Sequence, residues 1–324
     1  MALPSRLEGF REGRGWGRIP PVLLHGGAMA IYYKYFGNLN IEYFDSPTFK
    51  LTPPSQLNDP FESLLPSDIE KMISELLESE ASENLRKKYS TEDISDSFLN
   101  LFAQFGIVSL SETQRNLLMW AHYANEHTGI CIGYDSNKIF ENNEQPQKVN
   151  YSNVRCDESD NLNNMKDLDD LLQFILNKVL HTKGDDWIYE KEFRYLLLLS
   201  EFNKIKVLNN DNNIIPRLDY FAKKYPVEIE SMGDGVYLNK VNRNPRITFI
   251  HKYKNIQFLI DIPHEAIVSI YFGCRTPQEY IDNIRKKIGE KDHPLNHVKT
   301  YKFELSKERF ELYIPPHEIA LNDN

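Results

Sequence analysis

The stretch DDWIYEKEFRYLLLLS, residues 185 to 200, places two glutamates and an arginine at alternate positions before an apolar run. Side chains two residues apart on a strand share a face, so Glu190, Glu192 and Arg194 are predicted to line one surface. A fixed carboxylate stabilises the positive charge that develops on a sugar as its leaving group departs. Glu192 is the candidate for that role, and Glu190 for accepting a proton from the attacking group. The competing interpretation is a salt-bridged strand end, in which Arg194 simply pairs with Glu192.

A second dense stretch, MWAHYANEHTGICIGYD, predicts a helix, a turn at Gly129 and a strand. His122 and His127 flank that turn, and histidine is suited to proton transfer near neutral pH, so His122 is a candidate catalytic residue. No metal site is predicted, because the two histidines are five residues apart across a helix end and the cysteines show no metal-ligand spacing.

The remaining pattern predicts an α+β fold with a single mixed or antiparallel β core and inserted helices. Capping signatures predict helix starts at Ser67, Ser111 and Thr276, and helical periodicity covers residues 92–105 and 165–182. The last third is predicted to be mostly strand, interrupted by the helix from Thr276. The predicted strands read AIYYKYF, TFKLTPP, GIVSLSE, ICIGYD, the quoted stretch, IKVL, RITFI, QFLIDI, IVSIYFG, VKTYKFEL and RFELYI.

Composition and net charge argue against some classes of function. The chain of 324 residues has a formal net charge of −9, which argues against non-specific coating of nucleic acid. No apolar run reaches the length of a membrane span, and three widely spaced cysteines predict a reducing, cytoplasmic location.

Residues 1–28, rich in Arg and Gly, are predicted to be a flexible leader, with a basic functional arm as the alternative. Residues 29–324 are predicted to form one domain.

Several motifs occur here in one order: YYKYF…LTPPSQLNDPFE, GIVSLSE…NLLMWAHYANEHTGICIGYD, WIYEKEFR and IYFG. Together they resemble the bacterial domain-of-unknown-function family numbered 2971, over residues 31 to 275. That family is uncharacterised, is often found near phage-defence genes, and includes relatives resembling abortive-infection proteins. The resemblance implies a toxin or effector of phage defence, with a nucleic-acid or protein target and an antitoxin protein as a further partner.

A more distant resemblance is to ADP-ribosyltransferases, which use a first-strand His or Arg, a mid-chain Ser or Tyr, and a late Glu written E-x-E. The matching positions here are Tyr33-Lys34-Tyr35, then Ser109 or Ser111, then Glu190-Lys191-Glu192. Lysine stands in place of the first-motif histidine, and it donates to a phosphate or ribose oxygen as a compact point charge. This resemblance implies an ADP-ribosyltransferase-like fold and NAD as the substrate.

The NAD interpretation predicts a set of contacting side chains. Lys34 or Arg194 would hold the pyrophosphate. The aromatic rings of Tyr33, Tyr35 and Trp120 would stack on nicotinamide or adenine, although core packing is the commoner role for any one of these rings. The full set is Tyr33, Lys34, Tyr35, Asn58, Ser109, Ser111, Trp120, Tyr123 and Arg194.

Two other classes of function stay open. A defence nuclease, with or without Mg²⁺, would place Asp59, Glu62, Glu190 and His122 around a scissile phosphate. A non-catalytic sensor or antitoxin-binding module would need none of the carboxylates. The enzyme hypothesis requires the first strand, residues 31–36, to meet the quoted stretch around one cleft.

Overall fold

The computed structural model describes residues 30–63, 71, 74, 90–140, 144–154, 168–209, 211, 213–242, 244, 250 and 253–320. The predicted leader, the helix start predicted at Ser67 and most of the strand predicted at RITFI lie outside these residues. None of the described helices combines the length and the apolar character that crossing a membrane requires.

The described residues form helices together with largely antiparallel sheets, which confirms the predicted α+β class. The strands are β1 (Ile31–Phe36), β2 (Thr48–Leu51), β3 (Phe105–Ser111), β4 (Ile130–Asp135), β5 (Gln147–Lys148), β6 (Asn150–Tyr151), β7 (Thr182–Lys183), β8 (Glu192–Leu198), β9 (Lys204–Val207), β10 (Ile229–Gly233), β11 (Val236–Asn239), β12 (Ile256–Asp261), β13 (Ile267–Phe272), β14 (Lys299–Lys302), β15 (Glu304–Leu305) and β16 (Leu312–Tyr313). The helices are α1 (Thr91–Phe102), α2 (Leu117–Tyr123), α3 (Ser136–Ile139), α4 (Leu168–Leu180), α5 (Ile215–Lys224), α6 (Gln278–Ile288) and α7 (Pro316–Ala320).

The described residues form two main β-sheets. The larger has seven strands in the order β14-β13-β4-β1-β3-β8-β5, and the other has five in the order β10-β11-β9-β12-β2. Within these two sheets all strand pairs are antiparallel except β13 with β14, so the predicted mixed or antiparallel character is confirmed. A bridge between Thr52 and Ile107 joins the sheets, and one apolar cluster contains side chains from both, including Phe49 of β2 and Val108 of β3.

The burial of each strand follows from its pattern of apolar and polar side chains. All six residues of β4 are buried, as expected for an apolar run at the middle of a sheet. In β2 the pattern TFKL buries Phe49 and Leu51 and leaves Lys50 partly exposed, because successive side chains point to opposite faces. Lys50 therefore projects from the five-stranded sheet on the side away from Phe49.

The helix predicted to start at Ser111 begins later. Ser111 is the last residue of β3, and its hydroxyl donates to the carbonyl oxygen of Glu190 at 2.7 Å. Asn116 caps α2 instead, because its side-chain oxygen accepts from the backbone N–H groups of Leu118 at 2.9 Å and Met119 at 3.2 Å. The predicted capping role of Ser111 is therefore wrong.

The last third contains more helix than predicted. Helix α6 is confirmed, but its N-cap is Pro277, and the hydroxyl of Thr276 donates to the carbonyl oxygen of Gly129 at 2.8 Å. The capping role predicted for Thr276 is wrong because that hydroxyl is already committed to the turn before β4. Helix α5 and the hairpin of β10 with β11 were not predicted.

A candidate active site between the two sheets

A cavity of about 350 Å³ lies beside β1, β3 and β8. Its lining comes mainly from those strands, from β2 and the residues after it, and from the segment around residue 190. The lining residues are Tyr33, Lys34, Tyr35, Lys50, Thr52, Gln56, Leu57, Asn58, Ser109, Leu110, Ser111, Met119, Tyr123, Lys183, Glu190, Glu192 and Arg194. Ligand pockets in proteins span roughly 300–1,000 Å³, so this cavity can enclose a small ligand or part of a larger one.

Strand register explains why these residues converge. In the larger sheet Tyr33 pairs with Ser111, and Ser111 in turn pairs with Glu192. Two residues further along these strands, and therefore on the same face, Ser109 pairs with Arg194. The first strand and the quoted stretch are therefore separated only by β3, and they meet at one cavity, as the enzyme hypothesis requires.

The two glutamates reach the cavity by a different route from the one predicted. Residues Asp185–Glu190 form a 3₁₀ helix, and Lys191 takes a left-handed conformation with φ of 46° before β8 begins at Glu192. Glu190 is thus not on the strand, and the prediction of one alternating strand face is wrong. Its carboxylate still lies near that of Glu192, because both carboxylates contact the ammonium group of Lys183.

Five buried charged side chains form what we call the charge cluster: Glu62, Lys183, Glu190, Glu192 and Arg194, each 1–4% exposed. Arg194 donates through Nε to Oε1 of Glu192 and through Nη2 to Oε2, both at 2.8 Å. Arg194 also donates to Glu62 and to the carbonyl oxygen of Leu180. Lys183 Nζ lies 2.7 Å from Oε2 of Glu190 and 3.5 Å from Oε2 of Glu192.

These contacts determine protonation within the charge cluster. Burial alone would raise the pKa of Glu192, but the guanidinium of Arg194, with Lys183 and the Ser109 hydroxyl, lowers it to about 2. For Glu62 burial outweighs Arg194, and the pKa is raised. The three carboxylates raise the pKa of Lys183 in spite of its burial. Glu192 is therefore a carboxylate, and Lys183 an ammonium, at neutral pH.

Tyr123 links the charge cluster to the loop after β2. Its hydroxyl donates to Oε1 of Glu190 and accepts from the side-chain amide of Asn58. Burial, followed by the contact with Glu190, raises the pKa of Tyr123. Two of the predicted contact residues, Asn58 and Tyr123, thus lie on the cavity and form one hydrogen-bonded chain to a candidate catalytic glutamate.

The lysine pair, Lys34 and Lys50, occupies another part of the lining. Lys34 Nζ donates to the carbonyl oxygen of Ser109 at 2.9 Å. Burial lowers the pKa of Lys34 to about 8, Lys50 adds to that lowering, and Glu192 opposes it. Burial also lowers the pKa of Lys50. Within the described part of the chain, neither ammonium group forms an ion pair with a carboxylate.

Three predicted roles do not fit the positions found. Trp120 is fully buried, donates through Nε1 to the carbonyl oxygen of Gln114 at 2.8 Å, and is not part of the lining, so it cannot stack on a ligand there. His122 is exposed and also outside the lining, because it projects from α2 toward the ring of Tyr189, 6.0 Å away. Arg194 lines the cavity, but its donors are engaged by Glu62, Glu192 and Leu180. The structure therefore favours the pairing role for Arg194 over pyrophosphate binding.

The nuclease arrangement is also not assembled as predicted. Asp59 is buried and its Oδ1 accepts from the backbone N–H of Phe61 at 2.9 Å, which is a local turn contact. Glu62 and Glu190 belong to the charge cluster, whereas His122 is elsewhere. Among the described residues, no group of three or more His, Cys, Asp or Glu side chains is placed to hold a metal ion.

Sequence reasoning missed Lys183 and Lys50. Lys183 lies in the two-residue strand β7, where no periodicity marks it. Lys50 did carry a signal, since a lysine between two buried residues of a strand must project from the other face.

Comparison with known proteins gives one match. Residues 119–195 match the family described as "Protein of unknown function (DUF2971)". This segment includes Tyr123, Lys183, Glu190, Glu192 and Arg194, and so most of the charge cluster. No curated protein and no solved structure matches the chain.

Proposed function

We propose that the cavity binds NAD and that the protein transfers ADP-ribose from NAD to a macromolecule. The observation that carries this proposal is the convergence of the E-x-E carboxylates with Tyr33, Lys34 and Tyr35 of β1 on one cavity. A cavity of about 350 Å³ is at the low end of the range for ligand sites, so part of the dinucleotide would extend beyond it.

The chemistry requires an ionised carboxylate that is already oriented. Glu192 meets this requirement, because Arg194 and Lys183 keep it ionised and Arg194 holds both of its oxygens. As the bond from nicotinamide to the ribose C1′ breaks, nicotinamide leaves with the bonding electrons and the sugar becomes cationic. The attacking oxygen or nitrogen of the target then bonds to C1′ and gives its proton to Glu190. Tyr123 orients Glu190 by its hydrogen bond.

The second candidate function is a non-catalytic nucleotide sensor or antitoxin-binding module. The observation that favours it is the pairing of the charge cluster, since Arg194 occupies both oxygens of Glu192 and Lys183 contacts Glu190. A carboxylate that is fully paired in the folded protein can serve structure alone. In this alternative the cavity binds its ligand without turnover.

Turnover of labelled NAD separates the two candidates. The natural chain, incubated with NAD and a cell extract, should release nicotinamide, and Glu192→Gln should lower the rate at least about 100-fold. The control Glu279→Gln changes an exposed residue in the first turn of α6 and should leave the rate unchanged. Tyr123→Phe is a second test that keeps Glu192 paired. It should slow turnover by removing the hydrogen bond to Glu190.

Each result has a defined meaning. Equal turnover by the natural chain and a folded Glu192→Gln variant contradicts the role of Glu192. Binding of NAD without nicotinamide release favours the sensor. Absence of NAD binding overturns the transferase and a sensor of NAD, and leaves the antitoxin-binding module. Sensitivity of the labelled product to ribonuclease or to protease identifies RNA or protein as the target.

The biological part of the proposal is an effector of phage defence that acts as a toxin. Induced expression of the natural chain in bacteria should then arrest growth, and expression of Glu192→Gln to the same level should not. Equal growth of both cultures would contradict the toxin role, while the NAD assay would still test the chemistry.

A further inference from the structure

We infer that Lys34 and Lys50 form a subsite for a phosphate or pyrophosphate group, held between the two main sheets. Lys34 belongs to β1 of the seven-stranded sheet and Lys50 to β2 of the five-stranded sheet. Both line the same cavity. An anion bound to both ammonium groups would therefore connect the sheets at the cavity.

The charges on the cavity lining do not balance. The lining contains Lys34, Lys50, Lys183 and Arg194 but only two carboxylates, those of Glu190 and Glu192. Lys183 and Arg194 already contact both carboxylates. Glu62 lies outside the lining and also contacts Arg194, so four cations face three carboxylates and the lysine pair leaves one positive charge unbalanced among the described residues.

A partly buried ammonium group without a counter-charge is unfavourable, because burial removes water that solvates it. Burial accordingly lowers the pKa of both lysines. A bound anion would restore the missing counter-charge and raise both pKa values. The cavity is therefore better suited to an anionic ligand than to a neutral one.

Lys34 is oriented toward such a ligand. One of its three N–H donors is held by the carbonyl oxygen of Ser109 on β3, which leaves two for an anion. The charged groups that act on Lys34 are Glu192 from β8 and Lys50 from β2. Lysine is a common phosphate ligand, and two ammonium groups on the lining of one cavity suit the several oxygens of a phosphate or pyrophosphate.

This inference rests on the proposed function in one respect: the ligand occupies the same cavity. It adds that the lysine pair contacts the phosphate part of that ligand. Its test needs no turnover. If NAD is not consumed but pyrophosphate binding depends on both lysines, the proposed function fails and the subsite stands. If NAD is consumed equally by the lysine variants, the subsite fails and the proposed function stands.

Calorimetric titration of the full chain with pyrophosphate at pH 7 is the direct experiment. Lys34→Met and Lys50→Met each keep an apolar stem of similar length, and each should weaken binding at least 10-fold. The double variant should show no binding. Lys206→Met is the matched control, since Lys206 is an exposed lysine on β9 of the five-stranded sheet, and it should bind like the natural chain.

Proton uptake provides a second readout that a folding defect would not reproduce. At pH 8.5 pyrophosphate binding should take up a proton at Lys34, because its pKa of about 8 rises when the anion binds. Titration in two buffers of different ionisation enthalpy measures this uptake, which Lys34→Met should reduce. Unchanged affinity in both single variants, or equal loss in Lys206→Met, would overturn the inference.

Discussion

The charge cluster and the lysine pair line the same cavity but differ in how their charges are compensated. In the charge cluster three carboxylates and two cations lie within contact distance of one another. In the lysine pair, the one hydrogen bond from Lys34 goes to a neutral carbonyl oxygen. The difference indicates two separate roles, because the charge cluster is complete within the protein whereas the lysine pair is a charged surface that a ligand would complete.

The stability cost of the two regions differs accordingly. A buried ion pair contributes modestly overall, because desolvation offsets attraction, but removing one partner leaves the other charge uncompensated. An unpaired lysine lowers stability in the free protein, and such local costs are typical of functional sites. Substitutions in the two regions should therefore change stability in opposite directions.

The largest effect is expected for Arg194→Met. This change leaves Glu62 and Glu192 buried without their main partner, and breaking a buried pair of this kind costs about 3–5 kcal/mol in the free energy of unfolding. Urea unfolding at pH 7 measures the loss. Arg217→Met is the control, since Arg217 is exposed and should change stability by only about 0.5 kcal/mol. A loss below about 1 kcal/mol for Arg194→Met would show that the cluster contributes little to the fold.

A loss of stability in acid should follow from Glu192. Its folded pKa of about 2 is below the ordinary value of 4.5, so its contribution is full above pH 4.5 and declines as pH falls toward 2. The stability difference between the natural chain and Glu192→Gln, measured by urea unfolding, should therefore shrink between pH 5 and pH 2. A constant difference over that range would contradict the pairing with Arg194.

The sequence predicted that Glu190, Glu192 and Arg194 of the charge cluster lie close together, but not the backbone conformation that positions them. The alternating pattern predicts Glu190 and Glu192 on one strand face, but Glu190 ends a 3₁₀ helix, and the two carboxylates are still neighbours at Lys183. The left-handed Lys191 between these two residues carries no glycine or asparagine signal. Glu62 contacts Arg194 across 132 positions of sequence, and no local pattern can reveal such a contact.

The remaining differences between the predicted and the observed site concern which side chains are buried. Tyr33, Tyr35 and Trp120 were equivalent as aromatic candidates, yet only the two tyrosines line the cavity, because Trp120 packs against Tyr35 and Phe303. The strands were more predictable, since the apolar run of β4 specifies a central strand wherever it packs. The sequence pattern therefore predicts which segments form strands and helices. Whether a particular aromatic ring or charged side chain is buried depends on tertiary packing.

His181 provides a smaller effect in a different pH range. Burial, with the nearby charge of Arg194, lowers its pKa from 6.5 to about 4. The unfolded chain binds the proton more tightly, so stability is full above pH 6.5 and declines as pH falls toward 4. His181→Leu should flatten the pH dependence of the free energy of unfolding between pH 6.5 and pH 4. An unchanged slope in a folded variant would show that His181 titrates normally.

The smallest effect, and the one that opposes the others in sign, is expected for Lys50→Met. Lys50 has no hydrogen-bond or ion-pair partner in the described part of the chain, and burial lowers its pKa, so an apolar replacement should stabilise the free protein by about 0.5–2 kcal/mol. Lys50 is a cleaner test than Lys34, whose removal would leave the Ser109 carbonyl oxygen without its donor. Thermal unfolding without ligand measures the gain. With pyrophosphate present at a concentration that saturates the natural chain, the order should reverse, because the natural chain binds more tightly and gains more stability from binding than the variant. A Lys50→Met variant that is less stable in both conditions would place Lys50 among the structural charges and remove the contrast between the two regions.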